Sequence, residues 1–191
     1  MSGSCGCGDK CGCMFSEDGI LLRDCFRLLW EQHVYWTRMT IISIAASLPD
    51  LEPTTNRLLR NAPDFARVFN HFYGNRVAFK FEQLLTDHLV IAAELVNAAK
   101  AGNSTAAADA ERRWYVNADE IVHFLNCINP YWTKKHMREM WYDHLALTKA
   151  EAVARLNNEF KKDIAIFDNI EKEALMMADD FSNGIIRKFC L

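Results

Sequence analysis

From Leu21 to about Ser47, the inward-type positions fall at Phe26, Leu29, His33, Thr37, Thr40 and Ile44, steps of three and four residues that trace one face of a helix. Pro49 and Pro53 end that helix, because proline lacks the amide proton that the next turn needs. A second long helix is predicted over Asn75 to Lys100, with Gly102 just past its end as a C-terminal cap. A third follows Asn103-Ser104-Thr105 and runs to about Ile128, where Pro130 closes it. The fourth spans about Thr133 to Leu156, and the fifth runs from Phe160 to about Ser182, after the break at Asn157-Asn158.

Residues 48–73 are too long to be a structureless link inside a compact domain. They carry Thr54-Thr55-Asn56 before Arg57-Leu58-Leu59-Arg60, and Pro63-Asp64 before Phe65-Ala66-Arg67-Val68-Phe69. Each reads as a helix start, so two short helices are predicted to fold over one end of the bundle. Nowhere does a strand-like alternation persist. The predicted class is all-α: an up-and-down bundle of about five long helices around a four-helix core.

Residues 1–14 break this pattern, holding four of the eight glycines and four of the seven cysteines. Mobile backbone without large apolar groups predicts a flexible, disordered Cys-Gly tail, followed by a single helical-bundle domain over 15–191. Cys5-Gly-Cys7-x-x-x-Cys11-Gly-Cys13 is a compact set of four thiols, suited to soft ions such as Cu(I) or to Zn. Cys25 and Cys127 lie among apolar residues and read as small buried hydrophobes.

At 191 residues and half apolar, the chain can fill one core. A net charge of −3 with no basic stripe gives no reason to expect nucleic acid as a partner. No run reaches the ~20 apolar residues of a membrane span, and no signal-like segment is visible, so a cytoplasmic location is expected.

Two helices echo each other. Arg27-x-Leu29-Trp30-x-x-His33-x-x-x-Thr37-Arg38 returns 111 positions later as Arg138-x-Met140-Trp141-x-x-His144-x-x-x-Thr148-Lys149. Phe79-Lys80-x-Glu82 returns 81 positions later as Phe160-Lys161-x-Asp163, which suggests a duplicated hairpin with the third long helix inserted.

Depth along the helices gathers the candidate chemistry. With a rise of about 1.5 Å per residue, and with the first two long helices taken as antiparallel, His33 and His88 fall level. His144, Glu171 and the Asn117 to Glu120 stretch count to a similar height. Glu120-x-x-His123 places a carboxylate and an imidazole one turn apart, the unit by which di-iron bundles present ligands. His33, His88, Glu120, His123, His144 and Glu171 are therefore candidate metal ligands in the core, and Cys5, Cys7, Cys11 and Cys13 in the tail. Against this stands a plainer reading, in which the histidines hydrogen-bond within the core and Glu120 with His123 forms a surface pair.

With Trp-x-x-His twice, Asp87-His88-Leu89 and Glu120-x-x-His123, the chain resembles ferritin-like and hemerythrin-like helical bundles, closest to uncharacterised bundle proteins of Firmicutes. That resemblance implies a transition-metal ion (Fe, Mn, Zn or Cu) held by side chains projecting inward from several helices. The leading expectation is a metal-binding bundle with a thiolate tail. The alternative is a structural or interaction module without metal, able to dimerise through an exposed apolar face. A third reading is a small-molecule pocket walled by Trp30, Trp141 and Tyr115. No nucleophile–base pairing, phosphate loop or Cys-x-x-Cys supports a conventional enzyme.

Overall fold

The computed structural model describes residues 16–191, and every element in it is helical. They are α1 (Glu17–Ala46), α2 (Leu51–Leu59), α3 (Asn61–Tyr73), α4 (Asn75–Lys100), α5 (Ser104–Ile128), α6 (Lys134–Leu156) and α7 (Phe160–Phe189). The protein is all-α. The Cys-Gly segment lies outside the described residues.

Local chemistry sets the boundaries. Ser16 caps α1 by accepting from the Gly19 amide at 3.0 Å, and Asn103 caps α5 by accepting from Ala106 at 3.1 Å. Ser47, at φ 52°, turns the chain out of α1, and Gly74, at φ 80°, separates α3 from α4. Pro53 and Pro63 fall within the first turns of α2 and α3, where a missing amide proton costs no helical bond. The Thr54–Asn56 stretch consequently lies inside α2, which begins at Leu51 rather than after those residues.

The connection between α1 and α4 folds back along the bundle. Asn61 and Phe65 of α3 reach His33 and Phe26 of α1, so α3 runs opposite to α1. The helices α1 and α4 are therefore parallel, which is seen where Lys100, at the end of α4, reaches the Ile44 carbonyl and the Ser47 hydroxyl at the end of α1. Likewise α6 runs with α1, since Arg38 of α1 bonds Glu151 of α6. Between them lie the descending helices. α7 pairs with α1 through Arg23 and Arg27 on Asp179 at 2.6 and 2.8 Å, and α5 pairs with α4 through Arg113 on Glu94.

The chain is thus three consecutive hairpins, α1 with α2–α3, α4 with α5, and α6 with α7. Their first helices meet at the centre. One end of the core is aromatic: Phe69 stacks on Phe81 at 4.1 Å, while Trp30, Phe65 and Phe181 meet edge to face. Close packing there demands a glycine at position 184, where any Cβ would stand 2.0 Å from the Trp132 indole nitrogen. That nitrogen donates to the Asp180 carbonyl at 3.1 Å.

Candidate metal centre

His33 on α1, His88 on α4 and His144 on α6 face one another at the same depth. They are 1%, 1% and 2% exposed, and one ring nitrogen of each lies within 4.8 Å of the other two. The ring centroids of His33 and His144 are 5.3 Å apart, and each is 6.2 Å from that of His88.

Each imidazole is held by the second helix of its own hairpin. His33 Nδ1 lies 3.0 Å from Asn61 Oδ1, His88 Nδ1 lies 3.1 Å from Asn117 Oδ1, and His144 Nδ1 lies 3.0 Å from Glu173 Oε2. The tautomers follow from the second bond of each asparagine. Asn61 Nδ2 donates to the Leu29 carbonyl and Asn117 Nδ2 to the Leu84 carbonyl, both at 3.0 Å. A carbonyl can only accept, so each amide must present Oδ1 to its imidazole, which then carries its proton on Nδ1. A carboxyl oxygen of Glu173 accepts from His144 in the same way. The lone pairs of His33 and His88 are therefore on Nε2, and Nε2 is likewise the ring nitrogen that His144 turns away from its partner.

Burial disfavours protonation of His33 and His88. Removal from water, together with the neighbouring His144, pushes His33 down to about 3, and His88 is lowered well below its usual value for the same reasons. The unfolded chain takes up protons on these rings below about 6.5 while the folded chain does not, so stability falls as pH drops from 6.5 towards 3. Glu151 acts against this. Burial raises its carboxyl to about 7, so the folded state gains a proton first between 7 and 4.5. With two histidines set against one carboxyl, metal-free protein is expected to begin losing stability below about pH 6 and to have lost several kcal/mol by about pH 4, because each tenfold difference in proton affinity between folded and unfolded chain is worth ~1.4 kcal/mol. Urea unfolding across pH 3–7 checks this, and a flat profile below pH 5 would contradict neutral burial.

The layer also carries unmet polar capacity. Trp30, Trp114 and Trp141 surround the triad, with ring centroids 5.1–5.8 Å from at least one histidine, and the indole N–H of each is buried without a hydrogen-bond partner among the described residues. Thr37 Oγ1 and the second carboxyl oxygen of Glu173 are likewise buried and unbonded. Buried polar atoms are ordinarily paired, so several orphans around one layer mark a place with bonding left to give.

Of the core residues singled out from sequence, the structure brings together His33, His88 and His144. Glu120 and His123 are exposed on the outer face of α5, because Asn117, Ala118 and Ile121 take its inner face, and His123 lies 3.6 Å from the Cys127 sulfur. Glu171 sits toward the surface of α7 and accepts from the Tyr35 hydroxyl at 2.7 Å, while Glu173 turns inward. Cys5, Cys7, Cys11 and Cys13 lie outside the described residues. Cys25 and Cys127, expected to be buried, are exposed; the inner positions beside them are Leu22, Phe26 and Leu125.

Sequence reasoning missed Asn61 and Asn117 as partners of the histidines, and placed Glu171 where Glu173 stands. A signal was present. The three histidines recur at steps of 55 and 56 residues, and Asn61, Asn117 and Glu173 at steps of 56 and 56, each followed by alanine. Compared with protein families, curated proteins and solved structures, the chain has no significant match.

Proposed function

We propose that this protein is a metal-binding helical bundle in which His33, His88 and His144 hold one divalent transition-metal ion through Nε2. The observation that carries this reading is the convergence of three buried imidazoles from three helices, each with Nδ1 already engaged. Zinc–nitrogen bonds of 2.0–2.1 Å in a tetrahedral set imply nitrogen separations of about 3.3 Å, and one ring nitrogen of each histidine already lies within 4.8 Å of the other two. Anchoring Nδ1 on an amide or carboxyl oxygen fixes the tautomer and the ring plane, the usual support for a ligating histidine.

Nitrogen donors suit Zn, Cu and Fe better than oxygen-seeking Mg or Ca. Three protein ligands also leave a position for water or another molecule, as in sites that act rather than merely brace a fold. The reading keeps from the ferritin-like and hemerythrin-like resemblance the inward projection of ligands from several helices. It departs from that resemblance in using three imidazoles and no bridging carboxylates. Cys5, Cys7, Cys11 and Cys13 belong to the proposal as soft donors that acquire or pass on metal.

Elemental analysis of the chain with and without residues 1–14 tests the reading. One ion per shortened chain supports the core site, whereas a shortened chain that takes up no Zn, Fe, Mn or Cu on reconstitution returns the metal-free interaction module. Asn61→Ala and Asn117→Ala are each expected to lower core metal affinity by about 10–100-fold, as loss of such supporting bonds does elsewhere. Competition with a chromophoric chelator measures this, and unchanged affinity in both would leave the Nδ1 partners without the role assigned to them.

A further inference from the structure

Immediately beyond the histidine layer the packing opens. On one side, three residues back from His33 and His144, stand Trp30 and Trp141, 1% and 0% exposed. On the other side, four residues on from the three histidines, stand Thr37, Ala92 and Thr148, all lining a cavity of about 270 Å³. The cavity continues along the bundle axis between the closing turns of α1, α4 and α6 and the opening turns of α5. Its walls are almost wholly apolar, with Ile41, Leu89, Val96 and a series of alanines. Its alanine side chains leave the volume unfilled, and the cavity opens to solvent where Ala99, Ser104 and Ala108 are exposed.

We infer that this cavity binds a small neutral molecule, a hydrocarbon body of about ten non-hydrogen atoms with a single hydroxyl or carbonyl oxygen directed at the Thr37–Trp114 end. Size follows from comparison: an apolar cavity of about 150 Å³ accepts benzene, so 270 Å³ takes nearly twice that body. Neutrality follows from the lining, whose only charged members among the described residues, Glu111 and Lys149, already pair with each other. Polarity at one end follows from two lining residues that carry unmet bonding. Among the described residues the Trp114 indole N–H, on a residue 2% exposed, has no partner, and neither has Thr37 Oγ1. Both lie at the histidine end, Thr37 one turn from His33 and Trp114 with its ring 5.3 Å from that of His88. An oxygen placed there accepts from the indole. The far end is lined mainly by Ile44, Ala99 and Leu156, beside the Ser104 hydroxyl, and suits a hydrocarbon terminus.

The inference goes beyond the metal reading and does not depend on it, because binding can be read in metal-free protein. Calorimetric titration of the full chain in a chelator, with 1-octanol and with n-hexane, is the test. Saturable one-site binding of both is expected, with the alcohol favoured. Ala152→Phe, which fills the cavity, should abolish both signals while leaving the far-ultraviolet circular dichroism unchanged. Trp114→Phe keeps the ring and removes the donor, so it should weaken the alcohol by about fivefold, the worth of one hydrogen bond, and leave hexane unaffected. Absence of saturable binding, or binding that survives Ala152→Phe, overturns the proposal. Equal loss of alcohol and hexane in Trp114→Phe overturns the assigned orientation. Should Ala152→Phe fail to fold, Val96→Phe fills the same cavity from α4. Failure of the metal site would leave these titrations standing, so the two readings fail separately.

Discussion

Replacing any one of His33, His88 and His144 by alanine is expected to lower core metal affinity by about a hundred- to a thousandfold, on dividing the ~10–16 kcal/mol of a four-ligand structural zinc site among its ligands. The three variants should behave alike, because each imidazole comes from its own hairpin and contributes one Nε2. A metal-free readout should accompany them. Removing His33 leaves Asn61 Oδ1 buried without its donor, and removing His88 does the same to Asn117. Those two variants therefore lose some stability even without metal, offset in part by relief of the crowding among three buried imidazoles. The decisive comparison is the rise in melting temperature on adding Zn(II), which mass action makes large for the parent chain and small for each variant. A variant that keeps the full rise would show that its histidine is not a ligand.

The second large effect lies one turn beyond the triad. Arg38 on α1 bonds both Glu151 on α6 and Asp163 on α7, the latter at 2.6 Å, and Arg155 approaches Asp163 at 3.3 Å. Asp163 is fully buried and Glu151 nearly so, while the Arg38 side chain is 15% exposed. Burial alone lowers the Arg38 guanidinium, but the hydrogen bond to Asp163 and the charge of Glu151 outweigh it, and the net shift is upward. Arg38→Met keeps most of the hydrocarbon stem, strips Glu151 of its hydrogen-bonded partner and leaves Asp163 with Arg155 alone. The expected cost is about 3–5 kcal/mol, the penalty for leaving a buried charge without its partner. Replacing all three by similar apolar residues (Arg38→Met, Glu151→Leu, Asp163→Leu) should recover much of the loss, since a dry ion pair seldom outperforms good apolar packing. If Arg38→Met costs less than about 1 kcal/mol in urea unfolding, the node is not the tie between α1, α6 and α7 that its geometry implies. The same node locks the relative height of α1 and α6, and hence of His33 and His144.

Much of the fold was legible in the chain. Apolar spacing located the long helices, and Gly102, Pro130 and Asn157-Asn158 marked where they stop. The 26-residue connection divided into two helices as its sequence suggested, although α2 begins at Leu51, upstream of the threonines that resemble a cap. What the pattern could not convey was direction. Treating the connection as a compact turn made α1 and α4 antiparallel, whereas α3 is long enough to carry the chain back to its starting end. The two histidines came out level by that route because both lie near mid-helix, so the count was insensitive to direction.

The candidate site shows the same division. Histidine on an otherwise apolar stripe was visible at positions 33 and 144, and both are in the triad. Glu120 and His123 carried the right chemistry but the wrong face, and a spacing motif alone does not orient a helix about its axis. Asn61 and Asn117 carried no ligand chemistry, and their part in holding the imidazoles emerges only when hairpin pairing is known. The internal repeat was half seen. The offset of 111 between His33 and His144 spans two repeats of the hairpin, while the match of Phe79-Lys80 with Phe160-Lys161 joins an ascending helix to a descending one and has no counterpart in the packing. His88, preceded by Leu85 where the other two have tryptophan, disguised the middle copy.

One spectroscopic measurement bears most directly on the metal centre: zinc K-edge absorption fine structure on the full chain carrying a single equivalent of Zn(II). Three imidazole nitrogens at about 2.0–2.1 Å are expected, and they should vanish in the triple variant His33→Ala, His88→Ala, His144→Ala. A shell made only of sulfur at about 2.3 Å, identical in parent and triple variant, would assign the metal to cysteine thiolates and contradict a centre built from the three histidines.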